Sequence, residues 1–115
     1  MLAKRYRIPK IDLKKVFVSK NKVFYKNINI NFAANKLSHP RFAVYVNMNK
    51  SIKGAVGRNR ARRILFDEIA KNQKIFVSGF DVLVKARMGT AREQKETRTN
   101  LDHALKLITN KNPNV

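Results

Sequence analysis

The sequence contains no cysteine. That excludes disulfides, zinc ribbons and cysteine nucleophiles. Acidic residues are also scarce. Seven Asp+Glu stand against 26 Lys+Arg, a formal net charge of +19 over 115 residues. No apolar run approaches the roughly 18 residues that suggest a membrane span. The opening MLAKRYRIPKID carries charges with no apolar stretch behind them, so no secretory signal is expected. These absences together point to a cytoplasmic protein.

What is present points to a folded domain. The hydrophobic fraction of 43% is too high for a disordered basic tail, and the length suits one domain with one core. A charge this large opposes compaction unless a polyanion neutralises it. Nucleic acid is the first candidate partner and an anionic membrane surface the second.

The few acids build no catalytic constellation. Asp67 follows Arg63 by one helical turn, the spacing of a surface ion pair. Glu93 and Glu96 are flanked by Arg92, Lys95 and Arg98, as on a solvated helix face. His39 sits beside Pro40, and His103 lies in the last helical segment. Neither has an acid or second histidine at ligand spacing. Asp12, Glu68, Asp81 and Asp102 complete the inventory. A hydrolytic site would need paired carboxylates, a metal cluster, or a nucleophile beside a base.

Periodicity orders the chain. Leu13, Val16 and Phe17 recur at helical spacing, with Asp12 at the favourable N-terminal end, which predicts a helix over about 10–19. Ile28, Ile30 and Phe32 alternate with Asn29 and Asn31. Phe42, Val44 and Val46 alternate with Ala43, Tyr45 and Asn47. Both stretches are expected to be strands, and there is room for a very short third one between Ser51 and Val56. A helix follows, with Ala61, Ile64, Leu65 and Ile69 inward and Asn59, Arg60, Arg63 and Asp67 facing away. GFDVLVKAR reads as a strand punctuated by Gly79 and Gly89. The last helix opens at Thr90 and Glu93, which have capping-box spacing. It carries Leu101, Ala104, Leu105 and Ile108 inward. The expected fold is α+β, a single-domain two-layer sandwich in the order α-β-β-β-α-β-α. Its ends are expected to fray at about 1–6 and 110–115.

One stretch resists a structural explanation. KGAVGRNRARRIL, Lys53–Leu65, crowds cations into what reads as the start of a helix. Cations in a first turn oppose the helix dipole, each costing about 0.3–1 kcal/mol at low salt. They fit if the turn faces phosphate, which backbone N–H groups and arginine forks both attract. Asn59 could cap the helix or hydrogen-bond ribose and bases.

AVGRNRARRIL, residues 55–65, resembles the RNR motif of the protein subunit of bacterial ribonuclease P. That pattern is Ala-Val, a variable residue, Arg-Asn-Arg, a variable residue, Lys/Arg-Arg and an apolar pair. A basic KRYR start, a helix ending KVF, YV before the motif and FDVLVKAR after it fit the same family. The resemblance implies the element order given above, with a left-handed crossover around the motif helix. It implies binding to a large catalytic RNA subunit, which with its Mg2+ ions removes the 5′ leader of precursor tRNA. The protein would carry no active site of its own and act as a monomer in the holoenzyme, away from membranes. By the family pattern Arg58, Asn59, Arg60, Arg62 and Arg63, joined by Lys50 and Lys53, would contact the RNA subunit. Phe17 would line a leader cleft between the first helix and the sheet. Leu13 stands where some relatives have Phe, and Tyr45, Lys85 and Arg87 would extend the cleft. Competing readings are a general RNA-binding module, such as a ribosomal protein, and a protein-only nuclease with a carboxylate metal site.

Overall fold

The computed structural model describes residues 4–47, 54–72, 79–88 and 91–111. One turn of 3-10 helix (Lys4–Tyr6) leads into α1 (Lys10–Phe17), then β1 (Lys22–Tyr25), β2 (Ile28–Ala34) and β3 (Arg41–Asn47). The helix α2 (Gly54–Asn72), the strand β4 (Phe80–Arg87) and the helix α3 (Ala91–Lys111) complete the order α-β-β-β-α-β-α. The strands lie side by side as β1-β2-β4-β3. Pairing is antiparallel except between β3 and β4, which run parallel. A parallel pair needs a long connection, and α2 lies within it.

Strand alternation sends Val23, Ile28, Ile30, Phe32, Phe42, Val82, Val84 and Ala86 to one face of the sheet. There they meet Ala61, Leu65 and Ile69 of α2 and Leu101, Ala104, Leu105 and Ile108 of α3. Fully burying each large apolar side chain contributes about 1.5–3 kcal/mol, so this layer supplies most of the driving force. The opposite face is only partly covered. On it α1 lays Val16 and Leu13 over Leu83 and Ala43, with Ile8 closing a small second core. Tyr6, inside the end expected to fray, packs against the main core and meets the His39 ring edge-on at 5.3 Å.

Three boundaries differ from the sequence expectations. The strand missed in the sequence is β1. KVFY is only four residues long and buries one of them well, Val23, so its alternation is faint. No strand occupies 54–56, because Gly54 already opens α2, while 51–53 lie outside the described residues. The helix α1 stops at Phe17, two residues early. Ser19 donates its Oγ hydrogen to Phe32 O at 2.7 Å and draws the chain toward β2. Thr90 and Gly89 fall outside the described residues. Gly79 does what a glycine must. A Cβ there would stand 2.1 Å from both Leu37 O and Asn35 Oδ1.

Candidate nucleic-acid interface

Because α2 begins at Gly54, Arg58 and Arg60 fall in its second turn and Arg62 and Arg63 in its third. The dipole penalty expected for first-turn cations therefore largely disappears, since the effect fades within the first turn. Asn59 is an exposed helical residue and not a cap. Arg58, Arg60, Arg62 and Arg63 are all exposed, and none makes a salt bridge among the described residues. Asp67 does not pair with Arg63 as its spacing suggested. It faces Arg98 of α3 at 3.9 Å. Four uncompensated guanidinium groups on one helix repel one another and attract a polyanion. Lys50 and Lys53 lie outside the described residues.

A second surface lies on the half-covered sheet face. The strand register sets Phe24, Asn29, Lys85 and Tyr45 in one row across all four strands. Apolar rings flank the row, with Phe24 68% and Tyr45 59% exposed. Asn47 and Arg87 continue it, and together these residues line a hollow of about 330 Å³. Phe17, at the end of α1, is 58% exposed and meets the row through Lys85, whose Nζ lies 5.0 Å from its ring centre. Exposed aromatics beside cations suit stacked bases and phosphates. Tyr45, Lys85 and Arg87 therefore line one hollow, and Phe17 joins them at its edge through Lys85. Leu13 is not in this group. It is half-buried under α1, in the small core.

The sequence reading missed Phe24 and Asn29. The signal was the alternation of KVFY paired through a tight turn with NININ. The Asn29 Oδ1 atom is buried on this floor with no hydrogen-bond partner among the described residues. Asn31 resembles it, with Oδ1 unpaired, but its Nδ2 donates to Phe17 O at 2.9 Å and so fixes the end of α1. Lys85 has its pKa pushed below the ordinary lysine value, first by desolvation and then by the nearby Lys22 charge. An anion in the hollow would relieve both effects.

Besides the small core and the Asn31 bond, one ionic cluster ties α1 to the sheet. Arg41 of β3 grips Asp81 of β4 with two bonds, Nε to Oδ1 at 2.8 Å and Nη2 to Oδ2 at 2.7 Å. The same Nη2 reaches Asp12 of α1 at 3.2 Å. Asn35 donates to Asp81 Oδ1 at 3.0 Å. The bonds from Arg41 to Asp81, against the desolvation of burial, hold the Arg41 pKa above its usual value. At the far end of the hollow, Asn27 donates to Arg87 O and to Thr97 Oγ1, and accepts from Asn100. That network ties α3 to the β1–β2 turn. Arg87 itself pairs with Glu93 at 2.9 Å.

Glu96 pairs with Arg92, and His103 stacks on Tyr25 at 4.1 Å. Among the described residues no three His, Asp or Glu side chains converge as metal ligands. No helix among them is long and apolar enough to cross a membrane.

A small basic α+β domain, with an arginine-rich helix and a half-open sheet face flanked by aromatics, is the class these features define. The chain belongs to the ribonuclease P family, whose sequence model matches residues 2–109. It is 32% identical over 108 residues to the ribonuclease P protein component of Lactiplantibacillus plantarum, covering 92% of this chain and 94% of that one. It is 38% identical over 87 residues to the Azotobacter vinelandii component, covering 75% and 65%. Solved structures share the fold. A Staphylococcus aureus RNase P protein mutant with defective mRNA degradation activity gives a TM-score of 0.73 at 23% identity, covering 92% of this chain and 90% of that one. The RNase P protein from Thermotoga maritima gives 0.70 at 19% identity, covering 88% and 96%.

Proposed function

We propose that this ribonuclease P protein component acts as a cytoplasmic RNA-binding subunit, one copy per holoenzyme. It uses two surfaces. Arg58, Asn59, Arg60, Arg62 and Arg63, with Lys50 and Lys53, dock the catalytic RNA. The hollow beside Phe17 takes the 5′ leader of precursor tRNA, whose bases stack on Phe17, Phe24 and Tyr45 and whose phosphates meet Lys85 and Arg87. Mg2+ held by the RNA supplies the hydrolytic chemistry, and the protein supplies affinity and orientation.

The observation that carries the leader assignment is the cross-strand row Phe24–Asn29–Lys85–Tyr45 beside an exposed Phe17. A purely structural sheet face would bury those rings or replace them with polar groups. The test is reconstitution. Added to a bacterial ribonuclease P RNA at low Mg2+, the chain should restore accurate cleavage of precursor tRNA. No stimulation by folded protein would sink the proposal. Cleavage by the protein without RNA would transfer the chemistry to the chain.

A further inference from the structure

A groove separate from the leader hollow lies between the N-terminal segment and α2. Arg7 is bridged to Phe42, and Ile8 N–H donates to Phe42 O at 3.0 Å, so this segment runs along the outer edge of β3. Opposite it, Asn59, Arg62, Arg63 and Phe66 recur at i, i+3, i+4 and i+7 on one stripe of α2. With Asp67 these residues enclose a space of about 700 Å³, within the range of small-molecule sites. Phe66 is half-buried. It packs against the main core and, together with Arg7 and Arg62, lines both this groove and the adjoining hollow along β3. Asp67, the one acid at the rim, faces Arg98 at 3.9 Å. Arg7, Arg62 and Arg63 have no such partner among the described residues.

A phosphate-binding helix face needs only the arginines. It does not need a half-buried aromatic on the same stripe, nor an arginine from a second element lining the same groove. We propose that the groove takes one unstacked nucleotide of a bound RNA, its base against Phe66 and its phosphate between Arg7 and Arg62. Asn59, exposed on the same lining, carries both a donor and an acceptor for a base edge. The inference rests on the RNA-binding reading above and adds a stacking site to it. It also makes Arg7 the second jaw of a surface otherwise confined to α2.

The chain has no tryptophan, so Phe66→Trp places a single reporter in the groove. Titrating this variant with ribonuclease P RNA should quench its indole fluorescence. Inorganic tripolyphosphate, a polyanion without bases, should bind the arginines and leave the emission unquenched. Equal quenching by both would overturn the stacking proposal. Phe66→Leu, which keeps the apolar contact with the core, should weaken RNA binding about 5- to 150-fold, and Phe66→Tyr should restore it. Parental affinity in Phe66→Leu, or an equal loss in Phe66→Tyr, would remove the groove site and leave RNA binding by the arginines standing. Failure of the parent chain to bind the RNA would overturn both readings.

Discussion

Replacing Asp81 by Asn tests the ionic cluster that joins β3, β4 and α1. The Asp81 side chain is 8% exposed and that of Arg41 15%, so little water can compensate for a lost charge. The amide keeps the shape but turns one acceptor into a donor, and the bidentate grip on Arg41 fails. Breaking a buried pair by removing one partner costs about 3–5 kcal/mol. Arg41 still has Asp12 at 3.2 Å, so about 3 kcal/mol is expected. For a domain of this size that lowers Tm by about 12 °C. Asp12→Asn is the control. Its side chain is 29% exposed, and an ion pair so open to solvent is worth at most about 1 kcal/mol, or about 4 °C. A third variant, Arg41→Met with Asp81→Leu, should lose less than Asp81→Asn alone, because a well-packed apolar pair leaves no buried charge stranded and Asp12 keeps access to water. Melting by circular dichroism reads all three. Equal small shifts for Asp81→Asn and Asp12→Asn would refute the idea that Asp81 is the anchor.

Four further outcomes are expected. Phe17→Ala should change Tm by less than about 1 kcal/mol equivalent, its ring being exposed, and should weaken leader binding by about 1–3 kcal/mol; equal loss for mature tRNA would return Phe17 to a packing role. Arg60→Ala or Arg63→Ala should flatten the salt dependence of RNA binding by about 0.7–0.9 in log–log slope and leave Tm level or raised, as measured by filter binding across a salt series. Lys85 is shifted downward in the fold, so just below its ordinary pKa the unfolded chain binds more protons and stability rises with pH. Lys85→Met should remove that rise and weaken leader binding, checked by melts between neutral pH and about pH 10 and by leader titration. Gly79→Ala should force the 35–37 backbone away from β4, strip Asn35 from Asp81 and lower Tm by a margin like that of Asp81→Asn.

The main core was legible because its strands and helices obey clean periods. Ile28, Ile30, Phe32, Val82 and Val84 alternate, and Leu101, Ala104, Leu105 and Ile108 repeat at helical spacing. The motif helix was legible as chemistry, but its start was read about a turn late. A helix whose first turn holds Gly54 and Gly57 and no acid gives little local signal of where it begins. The strand β1 was hidden by its length and its lysines. Without it the row through Asn29 could not be drawn, and Phe24 had no place. Ion pairing was the least legible feature. Sequence spacing offered Asp67 to Arg63, but tertiary packing gave it Arg98, and nothing local marks Asp81 as the partner of Arg41, 40 residues away.

The row that crosses the sheet has one more consequence. Three inter-strand gaps of about 4.8 Å separate Phe24 from Tyr45, so the row is about 14 Å wide. It therefore works as a ruler. At the ~3.4 Å rise of a nucleic-acid strand in a duplex, about four consecutive nucleotides fit between the two rings, and fewer if the strand is stretched. For a leader lying along the row, as proposed above, the hydrogen-bond spacing of the backbone would set the span between the two rings. Side-chain substitutions would retune how tightly each position along the row is held without changing the distance between its two ends.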